Sequence, residues 1–464
     1  MGILYYTPVN AALTLNDIRG RVVSIGKPLL LIISIGLIVR IVLMPLLSFD
    51  FDLAAWVATG QGLESGRNIY ETSYYMYTPV WGYILSIMTG IGNLFGLSIP
   101  GEMMGELVTS ARLSTVLNTT ITSIAANVLY KFPLLLIDII TAWVLYKIVF
   151  HMTSDKKKAT LAFGLWFLCP LVIWSSSVAC MFDSLSALFT ILCFYFMIKE
   201  NYILSGISFM FAVTTKVFPV ILILVILAYI ISKHKSDIRA MLKKVGMFIV
   251  GGAATFLVVY LPVILTGNLS VSFKFFFSRS ETVSGASWNP VSIISSISFN
   301  QVIQLAPILI IAFILIGYWM YRSEPEKRDM NMIIAVLLSF TVLFIWPPTP
   351  TYPVLLIPFL AMAVTVCGKK GLIWSWGLFS AIMVMTALMI FNIQLLYSLA
   401  ENTGLLDIGS IISSVHANAE MFSKIEYVFR YLEFIPGISV LVFLYLSRKK
   451  ERPEEKIAWR SVFG

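Results

Sequence analysis

Two aspartates separated by one residue, Asp50 and Asp52, directly follow the first strongly apolar segment of the chain, in the sequence SFDFDL. In an extended backbone, side chains two residues apart point to the same side, so both carboxylates could contact one ligand or one divalent cation. Mn²⁺ and Mg²⁺ prefer oxygen ligands and are the candidate ions. The alternative is structural: if a helix begins at Asp52, that residue would act as its N-cap. These residues alone leave both interpretations open.

A tyrosine-rich segment, NIYETSYYMYTPVWGY, follows the acid pair. Tyr and Trp concentrate at membrane–water interfaces whatever a protein does, so their enrichment is a weak functional signal. The same rings suit a sugar, which presents apolar C–H faces beside its hydroxyls. A carboxylate pair followed by aromatic side chains is therefore a candidate carbohydrate site.

Two further charged residues, Asp183 in CMFDSL and Lys216 in TTKVFP, stand at the ends of apolar segments. Lysine is a common phosphate ligand, so Lys216 is a candidate for binding a lipid phosphate. The structural alternatives are a salt bridge between Asp183 and Lys216, or a lysine that reaches into the lipid headgroups.

Two later segments carry candidate ligands. The segment FKFFFSRSETVSGASWNPVSI contains Arg279 and Trp288, and WPPTPTYPVLL contains Tyr352. The first segment could close over a substrate, with Arg279 as a second phosphate contact. It could equally be a basic interfacial segment that touches anionic lipid.

The elements that hold these residues follow from a strongly apolar composition. Charged residues make up 12% of 464 residues and the mean hydropathy is +0.88, whereas a soluble chain carries about 25% charged residues. The sequence therefore predicts an all-α polytopic membrane protein of about twelve transmembrane helices, many of them close to the roughly 20 residues that span a bilayer. The apolar segments lie at 28–47, 126–150, 159–178, 184–198, 203–215, 217–232, 245–266, 301–320, 331–346, 353–367, 372–396 and 431–447.

The basic residues sit in short clusters between these segments, so the net charge of +9 indicates membrane orientation and not nucleic-acid binding. Connecting segments rich in basic residues alternate with segments that have few. Because basic residues favour the cytoplasmic side, this alternation places both termini in the cytoplasm. Three outer segments are then long, 48–125, 267–300 and 397–430. Within the first, PVWGYILSIMTGIGNLFGL is expected to lie along the outer membrane surface or to pack into it. No cleavable signal peptide is expected in the first 26 residues.

Two ionisable residues lie inside apolar segments, Arg40 and Asp138. Charges at such depth are costly and usually paired, so we expect Arg40 to approach Asp138 and to hold two helices together. The four cysteines and three histidines show no metal-ligand spacing.

The motifs occur in a recognisable order: an outer DFD, then YTP, then KFPLLLIDI, then WFLCPLVIW with FDSL, then KVFP. This order resembles the GT-C superfamily of polyprenyl-phosphate-sugar-dependent glycosyltransferases. It is most similar to the mannosyltransferases that add the first mannose in GPI-anchor synthesis, and to their prokaryotic relatives. The resemblance covers about 48–230, with weaker similarity at 346–360.

The resemblance implies a donor with one sugar, mannose in that family, on a polyprenyl or dolichyl phosphate. The acceptor would be a lipid-linked molecule or a glycan, on the extracytoplasmic face of a prokaryotic cell membrane or of the endoplasmic reticulum. Asp52 or Asp50 would be the general base of an inverting transfer, and the other would orient the acceptor or an ion. Lys216 and Arg279 would neutralise the phosphate. A requirement for Mn²⁺ or Mg²⁺ stays open.

Three aromatic residues, Tyr77, Trp288 and Tyr352, would line the sugar pocket, and Asp183 would hold sugar hydroxyls or anchor Lys216. The expected division is a catalytic membrane module over 1–266 and a variable module over 267–464.

The late outer segment departs from the family, because relatives often have glutamine where this chain has Thr351. Two alternatives remain. A lipid or sugar transporter would use Arg40 and Asp138 along a central path, and a non-catalytic membrane protein of polysaccharide assembly would need no base.

Overall fold

The computed structural model describes residues 26–72, 75, 77–97, 101–104, 119–278, 306–345, 350–390 and 395–450. This part of the chain is mostly helical. Its first helices are α1 (Lys27–Leu46), α2 (Asp50–Glu64), α3 (Pro79–Leu94), α4 (Ile124–Thr153), α5 (Lys156–Phe167), α6 (Pro170–Ile173), α7 (Asp183–Ile198), α8 (Tyr202–Thr215), α9 (Ile223–His234) and α10 (Ile238–Leu265). The later ones are α11 (Leu269–Ser278), α12 (Ala306–Tyr321), α13 (Arg328–Phe344), α14 (Ile357–Thr365), α15 (Leu372–Ile390), α16 (Tyr397–Thr403), α17 (Ile408–Ala417), α18 (Ala419–Leu432) and α19 (Phe434–Lys450). Short 3₁₀ turns are Phe218–Leu222, Pro325–Lys327 and Tyr352–Leu356, and a π-helical turn is Trp174–Val178.

Each of the twelve predicted apolar segments overlaps one of these helices. Three helices, α1, α4 and α10, are long and apolar enough to cross a bilayer, and α5 with the segment Pro170–Val178 forms a fourth candidate bent by 44°. The remaining apolar helices have 10–17 residues, fewer than the roughly 20 that span a bilayer. The chain is therefore a helical integral membrane protein, and the number of twelve spans stays a prediction.

Besides the helices, the described residues contain one short strand pair that the sequence did not predict. Strands β1 (Gly101–Met104) and β2 (Thr119–Thr122) pair antiparallel, with Gly101 opposite Thr122. The β2 sequence TTIT is rich in β-branched residues, which favour a pleated strand. This pairing lies inside the long outer segment, where hydrophobic periodicity carried no strand signal.

A buried polar network fixes β2 against the helices around it. The Asn127 amide donates to Pro45 O at 2.9 Å and to Ser398 Oγ at 2.8 Å, and its oxygen accepts from Thr122 Oγ1 at 2.6 Å. The Asn402 amide donates to the Thr122 carbonyl at 3.0 Å. The first outer segment is thus hydrogen-bonded to α16, which lies far away in sequence.

The helix ends gather in two groups, one at each end of the molecule. At one end Lys199 lies 3.4 Å from His151, Lys233 pairs with Glu200 at 3.0 Å, and Tyr229 donates to Asp329 at 2.7 Å. These residues come from segments predicted to face the cytoplasm. The segments predicted to face outward meet at the opposite end.

The helices on both sides of residue 266 share one apolar core. Phe194 and Phe359 lie 5.5 Å apart, and the Trp376 indole donates to Leu165 O at 2.7 Å. The structure therefore packs the two predicted modules directly against each other. Their functional division stays a prediction.

Helices α8 and α10 approach closely at glycines. A Cβ at Gly251 would lie 2.3 Å from Ile203 O, and one at Gly206 would lie 2.0 Å from Phe248 O. Both neighbours are backbone atoms, which cannot move aside as a side chain can. Small residues commonly allow such close approach between membrane helices.

We expect Gly251→Ala to destabilise the protein by about 1–3 kcal/mol, because overpacking forces the two helices apart. Gly246→Ala is the matched control on the same helix, since nothing lies within 4 Å of its added Cβ. The control should leave stability unchanged or raise it slightly, because alanine favours helix more than glycine. Thermal unfolding in detergent measures both variants, and equal midpoints would contradict the close packing.

Candidate functional site

The acid pair lies at the start of α2. This helix begins at Asp50, and Phe49 in an extended conformation occupies its N-cap position. The prediction of an extended stretch is therefore wrong, and so is Asp52 as an N-cap. Positions two apart in a helix are separated by about 200° of rotation, so the two positions do not share a face. Asp52 is half-buried, and the Asp50 side chain lies outside the described residues.

The helical start also bears on the metal hypothesis, which relied on a shared face for Asp50 and Asp52. In the part of the chain that the structure describes, no three His, Cys, Asp or Glu residues gather in a metal-binding arrangement. The Asp50 side chain lies outside the described residues, so a role of Asp50 and Asp52 at a divalent ion stays a prediction.

The start of α2 contacts the segment that leads into α7. The Phe49 amide donates to Val178 O at 3.3 Å, and the Trp56 indole donates to Cys180 O at 3.1 Å. Asp52 acts electrostatically on the buried Cys180 thiol, as does Lys131. Asp52 therefore lies near the 178–183 segment.

That segment has an unusual backbone. Pro170 starts a new helix after the break at 168–169, and a π-helical turn, Trp174–Val178, follows it. Cys180 has φ of 54°, which is uncommon for a residue with a side chain. Such strain is retained only where surrounding contacts enforce it. Here it places the Cys180 carbonyl against Trp56 and leads into Phe182 and Asp183.

An aromatic cluster forms beside the start of α2 from Trp56, Tyr77, Trp81 and Phe182. The Tyr77 ring lies 5.1 Å from Phe182 and 5.6 Å from Trp56, and Trp81 stacks on Phe182 at 5.3 Å. Trp56, Trp81 and Phe182 are buried and Tyr77 is half-buried. Tyr77 is thus the member of this cluster that a ligand could reach.

The salt bridge between Asp183 and Lys216, one of the two structural alternatives, is present. Asp183 is the first residue of α7, and Lys216 follows α8 in an extended conformation. Both side chains are buried, and the ammonium donates to Asp183 Oδ1. Of the two structural alternatives the ion pair holds, and Lys216 does not reach out into solvent.

The Lys216 ammonium also lies close to two aromatic rings. Its Nζ lies 4.3 Å from the centroid of the Tyr352 ring and 5.2 Å from that of Phe182. Thr78 Oγ1 donates to Thr215 O at 2.8 Å. The YTP, FDSL, TTKVFP and PTYP motifs therefore meet at one place. Arg279 and Trp288 lie outside the described residues, so their predicted roles stay predictions.

We expect Lys216→Met to destabilise the fold by about 3–5 kcal/mol, because it leaves the Asp183 carboxylate buried without its cation. The double variant Asp183→Asn/Lys216→Met should recover part of that loss, since it removes both charges. Unfolding in detergent measures the stability of the wild type, the two single variants and the double variant. An additive double variant would mean that the two side chains do not stabilise each other.

The predicted pair Arg40–Asp138 is confirmed. Arg40 Nε donates to Asp138 Oδ2 at 3.1 Å, and Nη1 donates to Phe167 O at 2.7 Å. Ser176 Oγ donates to the same carboxylate oxygen at 2.6 Å. Arg40 and Asp138 are both fully buried. This cluster connects α1, α4, α5 and the π-helical turn.

Sequence reasoning missed three residues near the site: Trp56, Phe182 and Lys131. Lys131 is buried, and its ammonium donates to Met44 O at 3.1 Å and Leu47 O at 2.6 Å, at the end of α1. A signal was available, because Lys131 lies seven residues before Asp138 and so falls on the same face of α4.

The fold and the site define a helical integral membrane protein whose charged and aromatic motifs meet at one end. A family model described as GPI transamidase subunit PIG-U matches residues 62–283, a little under half of the chain. The matched residues include Tyr77, Asp183 and Lys216 but not the acid pair. The chain is also similar to the crystal structure of ArnT from Cupriavidus metallidurans in the apo state, at 15% identity and a TM-score of 0.43, over 91% of this chain and 78% of that one.

Proposed function

We propose that this protein is a membrane glycosyltransferase of the GT-C type. It moves one sugar, mannose by the sequence resemblance, from a dolichyl or polyprenyl phosphate to a lipid-linked or glycan acceptor. The reaction takes place on the extracytoplasmic face, the side that the charge alternation assigns to the acid pair.

One observation carries this proposal: a half-buried carboxylate stands beside an aromatic cluster. Asp52 lies one turn before Trp56 on α2, and Trp56 packs on Tyr77 and Phe182. The rings supply apolar faces for a sugar, and the carboxylate supplies a base for a hydroxyl.

The transfer is a single displacement at the anomeric carbon. The oxygen of the acceptor hydroxyl forms a bond to the anomeric carbon, and Asp52 takes the proton of that hydroxyl. The bond from the anomeric carbon to the phosphate oxygen breaks, and the lipid phosphate leaves with the electron pair. With one base and no carboxylate nucleophile the configuration inverts, by analogy with inverting glycosidases.

Positive charge is needed where the phosphate departs. The positive charge of Lys216 can serve the phosphate only in part, because the Asp183 carboxylate neutralises it. The Asp183–Lys216 pair therefore orients the pocket together with Tyr352, and more of the phosphate neutralisation falls to Arg279. Asp183 takes the second of its two predicted roles, that of anchoring Lys216.

A second candidate is a non-catalytic subunit that holds a lipid-linked glycan for a partner enzyme. The match to a family named as a GPI transamidase subunit favours it, since the matched residues leave out Asp50 and Asp52. The transporter alternative is weaker, because Arg40 and Asp138 bind each other.

The test uses the purified full chain in nanodiscs with a panel of dolichyl- and polyprenyl-phosphate sugars. Mass analysis of added glycan and glycolipid acceptors detects a mass gain of one sugar. Transfer from one donor of the panel supports the enzyme. Binding of glycolipid with no transfer from any donor would favour the subunit.

A further inference from the structure

A buried arginine lies at the end of the molecule opposite to the candidate site. Arg328, the first residue of α13, is 9% exposed. Its Nε is buried without a hydrogen-bond partner. Across the described residues its guanidinium makes no hydrogen bond or ion pair. An isolated buried charge is costly, and arginine is rarely buried unless it is paired.

The surroundings of Arg328 are rich in positive charge. Its charge acts on the side chains of Tyr202, Tyr229 and His234, so these groups stand near it. Lys244 Nζ lies 5.4 Å from the centroid of the Tyr202 ring. The His234 ring is in hydrogen-bond contact with the Tyr202 hydroxyl at 2.9 Å.

The acids nearby are already engaged. Asp329 accepts from Tyr229 at 2.7 Å, and Glu200 pairs with Lys233 at 3.0 Å. Among the described residues, neither of these two carboxylates pairs with Arg328 or Lys244.

The geometry points to a phosphate-binding site formed by Arg328, Lys244 and the Tyr202 hydroxyl. Its ligand is a phosphate monoester or diester, from a lipid headgroup or from a soluble compound. Arginine suits such a ligand because its planar guanidinium forms parallel, charge-assisted bonds to phosphate oxygens. The site lies at the end that the charge alternation assigns to the cytoplasm, and it does not depend on the proposed transfer.

The experiment compares the full chain in phosphatidylcholine nanodiscs with and without phosphatidic acid, and with added inorganic phosphate. Phosphatidic acid should raise the unfolding midpoint of the wild type. Arg328→Gln should weaken this binding about tenfold or more, as expected for the loss of charge-assisted bonds. The matched control is Arg322→Gln, an exposed arginine of the same cytoplasmic segment, which should keep the full shift.

The two probes separate the ligand sources. A shift with inorganic phosphate alone indicates a soluble phosphate compound, and a shift with phosphatidic acid only indicates a lipid headgroup. If Arg328→Gln does not fold, Lys244→Gln with Arg328 intact should still reduce the shift, and Arg328→Lys should keep part of it. The proposal is overturned if neither probe shifts the wild type, or if Arg322→Gln loses as much as Arg328→Gln.

Discussion

Asp52→Asn is expected to lower sugar transfer about 100- to 10,000-fold, the range that a general base contributes. Asparagine has nearly the same shape as aspartate but cannot accept the hydroxyl proton. Binding of the donor and the unfolding midpoint should stay close to the wild type, because Asp52 is only half-buried. Transfer by purified protein, followed by mass, measures the loss in the catalytic step.

The matched control is Glu64→Gln, which removes an exposed carboxylate from the last position of the same helix. It should leave transfer unchanged. Asp50→Asn should also reduce transfer, through acceptor orientation, but by less than Asp52→Asn. If both aspartate variants transfer sugar at the wild-type rate, the base is another residue and the binding-subunit candidate gains.

Arg40→Ala is expected to destabilise the protein by about 3–5 kcal/mol, because it leaves the Asp138 carboxylate buried without its cation. The guanidinium also donates to Phe167 O at the end of α5, so its loss removes a buried hydrogen bond from that carbonyl. The unfolding midpoint and the yield of folded protein in detergent measure this effect. The double variant Arg40→Met/Asp138→Asn, which removes both charges, should be more stable than Arg40→Ala.

The same variant separates structure from transport. If Arg40→Ala has a normal unfolding midpoint but no function, Arg40 has a direct functional role beyond supporting the fold. That outcome favours a transporter or flippase, for which buried charges line the path. Parallel losses of stability and function would favour the structural role that the hydrogen bonds indicate.

The sequence by itself determined the apolar helices and one buried ion pair, Arg40 with Asp138. Long apolar runs have few stable forms in a membrane, because helices satisfy their backbone hydrogen bonds internally. Each predicted segment therefore overlaps a helix. Charges inside such runs must pair, which made Asp138 the expected partner of Arg40. For Asp183 and Lys216, at the ends of apolar segments, the sequence left the ion pair as one of several alternatives. The twelve spans, by contrast, depend on the bilayer as well as on helix length.

Only the tertiary structure decided the surroundings of the acid pair. Six residues cannot distinguish an extended turn from a helix start, and α2 is fixed by bonds from Phe49 and Trp56 to the 178–183 segment. The β2 strand likewise depends on Asn127 and on α16, both distant in sequence. Phe182 joins the aromatic cluster because a strained backbone at Cys180 turns the chain. These features rest on contacts between remote segments, which local periodicity does not record.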